Sequence, residues 1–333
     1  MINQRKIAIM ALVFIVPLSA LWALKLGAVN LSWSQLLAVL GGDGDPLWQQ
    51  IIWQLRLPRV ALAFMAGAGL ALAGAMLQTV TRNPLADPYL FGISSGAALG
   101  VVVAMTLLGV SAGIILTLSA FVGAMLATAL LLSVALSLRY MQNSIMVLCG
   151  VALSFGFSAL TSLLLYFSDP QAISAVVFWT LGSFARANLA MLLPIALLLL
   201  VVLALVMVLR RALNALLLGD ESAHTLGVNV PMLRIIMLLL SALITAVLVS
   251  VCGGIGFVGL MIPHLVRLSG RFTSTQIYPL SFVCGGLFML WVDVLARTLM
   301  SNQELPIGVI TASLGSAFFF ALLYTQQRQQ QEV

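Results

Sequence analysis

Val60–Thr81 reads VALAFMAGAGLALAGAMLQTVT, with Arg59 before it and Arg82 after it. No charge interrupts it. About 20 such residues are what an α-helix needs to cross the apolar core of a bilayer. The pattern recurs along the chain. Residues 88–138 hold no charge over 51 positions, room for two spans; 140–168, 187–209, 272–292 and 305–327 each suit one; 235–266 suit one full span and one short one; residues 7–24 add another. The sum is about ten transmembrane helices at about 20 residues each.

Composition points the same way. The 333 residues are 62% hydrophobic and 7% charged, outside the range of soluble domains. A β-barrel is excluded, because barrel strands alternate over about ten residues and carry polar lumen positions. Residues 5–22 mimic a signal peptide, with Arg5-Lys6 before an apolar stretch; in a polytopic chain this reads as an uncleaved first helix. Threading ten helices from an inside N-terminus places the basic residues at 5, 6, 82, 139, 210, 211, 234, 267, 271 and 328 inside and those at 25, 56, 59, 186 and 297 outside. That bias follows the positive-inside rule. The net charge of +6 is therefore a topological signature. No basic cluster with interleaved aromatics points to nucleic acid.

One polar island breaks the lipid pattern: Asn214-Ala-Leu-Leu-Leu-Gly-Asp-Glu-Ser-Ala-His-Thr-Leu-Gly-Val228, preceded by Arg210-Arg211 and followed by Pro231 and Arg234. The spacing predicts a short helix from Asp220 or Ser222 to Gly227 on the cytoplasmic surface, where a soluble partner can dock.

Several familiar motifs fail. Gly254-Ile-Gly-Phe-Val-Gly259 matches a dinucleotide pattern but has no βαβ context and reads as helix packing. A Walker A sequence needs a lysine after glycine; Lys6 follows Arg5 and Lys25 follows Leu24. Cys149, Cys252 and Cys284 sit in apolar runs as packing residues. His224 and His264 lie on different segments, so no metal set forms and no cofactor is expected. Asp293 and Arg297 are four apart on one helix face and are expected to pair.

Seven segments in order carry a resemblance: Arg56-Leu-Pro-Arg59, Arg82-Asn-Pro-Leu-Ala-Asp-Pro88, Gly92-Ile-Ser-Ser-Gly-Ala-Ala-Leu-Gly100, Leu218-Gly-Asp220 with Leu226-Gly227, Gly256-Phe-Val-Gly-Leu-Met-Ile-Pro-His264, Asp293-Val-Leu-Ala-Arg297 and Glu304-Leu-Pro-Ile-Gly308. From about residue 50 onward the chain resembles the FecCD family of ABC-importer permeases. The resemblance implies an all-α, ten-helix permease of type II importer fold, forming one domain over residues 1–333. It implies uptake of a ferric siderophore, haem or cobalamin across the bacterial inner membrane, both termini being cytoplasmic. A homodimer or paralogous pair, two cytoplasmic ATPase subunits and an extracytoplasmic binding protein are the implied partners, so the chain itself is no enzyme.

The resemblance also assigns residues. Arg56, Arg59 and Arg297 would meet acidic groups of the binding protein, to which guanidinium offers bidentate geometry. Asn83 and Leu85, in a double-proline turn, and Asn143 and Ser144 would form an inner gate; at the latter pair the cobalamin permease carries smaller hydroxyl residues. Leu218, Gly219, Asp220, Glu221, His224, Leu226 and Gly227, within residues 212–230, would couple to the ATPase. Gly150, Ser154, Gly308, Thr311, Ser313 and Gly315 would line the pathway. Residues 169–190 suggest a short amphipathic helix at the entrance. An ion-coupled secondary transporter is the alternative, although that class places ionisable groups at mid-membrane. A membrane enzyme would need a polar catalytic cluster, and none is evident. Substrate identity is not readable, since relatives also carry oxyanions.

Overall fold

The computed structural model describes residues 2–27, 29–110, 112–137, 143–270, 272–300 and 303–331, and every regular element in them is helical. α1 (Ile2–Lys25) leads to two short helices, α2 (Trp33–Gly41) and α3 (Pro46–Gln50). Ser32 and Gln35 form a capping box on α2, and Asp45 caps α3 with Pro46 in its first turn. A π-helical turn, Ile51–Arg56, joins α3 to α4 (Leu57–Val80). A 3-10 turn, Pro88–Phe91, precedes α5 (Ile93–Thr106), then come α6 (Ile114–Ser137), α7 (Asn143–Tyr166) and α8 (Pro170–Thr180). α9 (Leu189–Val208), α10 (Arg210–Leu217), α11 (Asp220–Thr225), α12 (Val230–Cys252), α13 (Val258–Ser269), α14 (Ser274–Thr298) and α15 (Ile307–Gln331) complete the order.

Among the described residues, seven helices are long and apolar enough to cross a membrane. α5 and α13 are not, with 14 and 12 residues. At about 1.5 Å per residue they fall short of the roughly 30 Å core. The charge-free run 88–138 thus holds one full-length helix and one short one, where charge counting alone expects two spans. In both places the chain re-enters the bundle before the short helix begins. The Tyr89 hydroxyl, beside α5, accepts the Ile255 N–H at 2.6 Å, in the Gly253–Phe257 break between α12 and α13. The Gly254–Gly259 pattern spans this break and the first turn of α13. A Cβ on Gly253 would lie 2.2 Å from the Trp179 carbonyl oxygen, so the backbone packs directly there.

α4 is the central helix. Over its most apolar 18 residues, the span that contains it is 83% buried inside the chain, against 6% for the span in α7. The alanines and glycines of α4 explain this, because small side chains let helices approach closely. A Cβ on Gly67 would lie 2.0 Å from the Gly285 carbonyl oxygen of α14, and one on Gly74 would lie 1.9 Å from that of Gly259 in α13. Close crossing lets α12, α13 and α14 wrap α4 in one apolar core. Polar groups on α4 find partners across it: Gln78 Nε2 donates to the Gly259 and Leu260 carbonyls at 3.1 and 3.2 Å, and its Oε1 accepts from Arg267.

Candidate functional site

The arginines quoted in Arg56-Leu-Pro-Arg59 and Asp293-Val-Leu-Ala-Arg297 do gather at one end of the bundle. They are not displayed to solvent, as an outward cluster requires. Arg56 Nη1 donates to the Leu24 and Lys25 carbonyls at 2.7 and 3.0 Å, and Nη2 donates to that of Val29. Arg297 donates to the Leu26 and Ala23 carbonyls at 3.0 and 3.2 Å. Two guanidiniums therefore satisfy the carbonyls that α1 leaves unpaired at its end. Gly27 makes room for them: a Cβ there would lie 2.9 Å from Arg56 Nη2.

Asp293 is the counterion of this end, with a side chain 1% exposed. Arg59 Nε sits 2.8 Å from its Oδ1 and Arg297 Nε 2.9 Å from its Oδ2. The i,i+4 pair read from sequence is present, and Arg59 makes it a triad. Arg59 also pairs with Glu304 at 2.7 Å; the Glu304 side chain is half-exposed. Arg59 thus lies nearest to a surface partner, whereas Arg56 and Arg297 are turned inward by the end of α1. Arg59, Arg186, Trp179 and Glu304 border a cavity of about 270 Å³ at this end.

The opposite end carries the island. α11 falls where the sequence places it, with Gly227 at φ +81° after it. Ala223 is buried, while Glu221 and His224 are exposed. Leu218 and Leu226 flank the helix at 71% and 63% exposure. Two exposed leucines around a short helix make a compact apolar knob with a charged edge. Asp220 faces the other way, pairing with Arg82 and, at 3.1 Å, with Arg234.

The Arg82–Asp87 turn lies beside the island. Asn83 Oδ1 accepts the Leu85 N–H at 2.9 Å, and Leu85 is 38% exposed. Asn143 and Ser144 begin α7, and their side chains lie outside the described residues.

The six residues assigned to a pathway separate into two groups. A Cβ on Gly150 would meet the Leu90 carbonyl oxygen at 2.4 Å, one on Gly308 that of Leu181 at 2.6 Å, and one on Gly315 the Phe257 ring at 2.3 Å. Thr311 is 1% exposed and donates to the Gly308 carbonyl. These four pack inside their own chain. Ser154 is half-buried and bonded to the Gly150 carbonyl at 2.9 Å; Ser313 is exposed. The uncovered polar face lies further along α7, at Ser158 and Ser162, and on α15 at Ser313 and Ser316. Their four- and three-residue spacing puts each pair on one helix face, a signal present in the sequence but hidden among many small residues.

Asp87 is a further group that sequence reading leaves as a mere turn residue. It is 4% exposed. One oxygen accepts the Tyr89 N–H at 2.8 Å, and the other has no aligned donor and lies against the start of α13 beside Gly259. Burial pushes its carboxyl up to about 6, although the Tyr89 and Leu260 N–H groups pull it down. Since the folded pKa exceeds the unfolded one of about 3.9, the folded chain binds the extra proton between the two. Stability contributed there should fall as pH rises toward 6 and stay low above it. Asp87→Asn is expected to melt higher than the parent at pH 7.5, with the difference shrinking by pH 4.5. Melting curves in detergent at both pH values check this; equal shifts at both would remove Asp87 as the titrating group.

Residues 12–325 match the model of the FecCD transport family. The hemin transport system permease of Yersinia pestis is 35% identical over 336 residues, covering 98% of both chains. The vitamin B12 import system permease of Klebsiella pneumoniae is 40% identical over 277 residues, 83% of this chain and 82% of that one. A solved ABC transporter of metal-chelate type, in an inward-facing conformation, superposes with a TM-score of 0.85 at 35% identity, covering 95% of this chain and 98% of that chain.

Proposed function

Because this chain belongs to the FecCD transport family and is an ABC-importer permease, we propose that it carries a metal chelate, haem or a cobalamin inward across the cytoplasmic membrane. The observation that carries the reading is the placement of the leucine-flanked island at the end opposite the arginines. One end is fitted for an ATPase, the other for a binding protein. ATP is hydrolysed by the two partner ATPases, and closure of those subunits tilts the helices as rigid bodies.

We read the chain as one domain that crosses ten times. The seven long helices supply seven crossings. Three shorter apolar helices, Phe14–Lys25, Ile93–Thr106 and Val258–Ser269, supply the rest, two of them completed by the re-entrant segments. Both termini then lie in the cytoplasm with the island, in keeping with its basic flanks.

A second permease, identical or paralogous, covers the exposed faces of α7 and α15. A two-fold axis brings like residues together, so charge-free walls bearing Ser158, Ser162, Ser313 and Ser316 would enclose a path that lets a bulky chelate slip past. Asn83, Leu85, Asn143 and Ser144 close it on the island side. A cysteine at position 83 or 143, in a background without Cys149, Cys252 and Cys284, should cross-link between subunits in one nucleotide state and not in another. Cross-links absent in every state of a transporting protein would move the gate elsewhere.

At the far end, Arg59 exchanges Glu304 for an acid of the binding protein, while Arg56 and Arg297 hold the platform. Arg59→Gln, which removes the charge without setting a third carboxylate beside Asp293 and Glu304, should weaken binding-protein association, and more so at low salt, where charge is less screened. Unaltered affinity at low ionic strength would exclude Arg59 from the interface. For the cargo, uptake by the reconstituted complex of a ferric siderophore, haem, cobalamin and molybdate should favour one of the first three; uptake of molybdate alone would refute the chelate reading.

A further inference from the structure

Arg82 has φ +48° and, with Phe257, is one of two non-glycine residues at positive φ among the described residues. It directly follows Thr81, the C-cap of α4. Helices usually place glycine at that position, because a side chain there is sterically strained. Arginine is retained here with its guanidinium paired to Asp220 of α11. The same carboxylate oxygen takes Arg234 Nη2 of α12 at 3.1 Å. The Arg234 side chain is 10% exposed, so it is fixed in the bundle; Arg82 and Asp220 are half-exposed at 35% and 46%. Next to Arg82 stands Asn83, whose Oδ1 holds the Leu85 N–H. From the island to the candidate gate there is one ion pair and one peptide bond.

We propose that the Asp220–Arg82 pair is the mechanical link by which movement of the island reaches the turn bearing Asn83 and Leu85. The proposal rests on the reading of the island as an ATPase dock. Arg234 acts as the anchor: it holds the Asp220 carboxylate from the α12 side, so a displaced island pulls on Arg82 instead of letting Asp220 swing free. Strain at Arg82 fits this role. A left-handed residue at the helix end aims its side chain across to α11, and the turn beyond it moves with that side chain. Half-exposed ion pairs add little to stability, so breaking this one should leave the fold intact and show itself in coupling.

Glycine at position 82 separates the two roles. It relieves the backbone and removes the charge. If Arg82 only ended α4, Arg82→Gly would transport as well as the parent or better; if it is the link, glycine fails. Asp220→Asn removes the charge from the other side with φ at position 82 untouched and keeps a side-chain oxygen as acceptor for the buried Arg234 guanidinium; with its melting temperature read beside uptake, it carries the test even where Arg82→Gly assembles poorly. The complex with its ATPases and binding protein is reconstituted in liposomes, and ATP hydrolysis and uptake are read together. Both variants should retain ATPase association, with uptake per ATP lowered by about fivefold or more, the low end of typical inter-site coupling. Arg82→Lys and Asp220→Glu should keep most of the parent's ratio. Uptake per ATP at the parent value in Arg82→Gly or Asp220→Asn would overturn the link. Leu226→Glu serves as the control for the dock: if it still binds the ATPase, the docking reading fails and the link with it; if it loses the ATPase while Arg82→Gly transports normally, the link alone fails.

Discussion

Asp293→Ala is expected to destabilise the permease strongly. It leaves two buried guanidiniums, Arg59 and Arg297, without their shared carboxylate. Removing one partner of a buried ion pair costs about 3–5 kcal/mol. The lower part of that range applies, because Arg59 keeps Glu304 and Arg297 keeps the Ala23 and Leu26 carbonyls. The loss should appear as a lower melting temperature and faster thermal inactivation in detergent. Asp293→Asn, which keeps an acceptor for Arg59, should lose less. An Asp293→Ala protein that melts with the parent would show that the triad does not hold α1, α4 and α14 together.

Leu226→Glu combined with Gly219→Arg is expected to abolish transport while the permease still reaches the membrane. Leu226 is exposed, so a charge there costs the free subunit little, whereas an apolar contact in the complex would be lost. Anchoring side chains at the centre of an interface are worth about 2 kcal/mol or more, roughly thirtyfold in affinity. Gly219 adopts φ +122°, which arginine tolerates poorly, so the turn that presents α11 is disturbed too. Pull-down of the ATPase and ATP-driven uptake are the measurements. Unchanged association and uptake would reduce the island to a surface loop.

Much of this architecture is legible in the chain because lipid imposes a simple rule: charges end spans. Charge-free runs therefore mark α4, α6, α7, α9, α12, α14 and α15. The short helix α5 is harder to see, since Pro88–Phe91 interrupts the bundle inside a charge-free run, whereas the length of the run 235–266 already leaves room for only one short helix, α13; the Ile255 N–H in the break before α13 is satisfied by the distant Tyr89 hydroxyl. The Asp293–Arg297 pair is visible as an i,i+4 spacing. Its third member, Arg59, lies 234 positions away from Asp293 and could only be found in three dimensions. For Arg56 and Arg297, residue order reveals the correct end of the bundle but not the direction, because carbonyl acceptors on α1 leave no mark in residue type. Glycine is ambiguous for a related reason. Gly150, Gly308 and Gly315 suit either an open wall or a tight crossing from sequence, and only in three dimensions do the first two lie against the Leu90 and Leu181 carbonyls and the third against the Phe257 ring. Asp87 looks like turn punctuation until its burial beneath α13 is known.

We propose that transport through this chain is driven by ATP hydrolysis on partner subunits. The direct measurement is uptake into proteoliposomes holding the permease, its ATPases and the binding protein, with ion gradients collapsed by ionophores. Uptake should require hydrolysable ATP, should stop with a non-hydrolysable analogue, and should be indifferent to the collapsed gradients. Uptake that proceeds without ATP on an imposed proton or sodium gradient would make the chain an ion-coupled carrier instead.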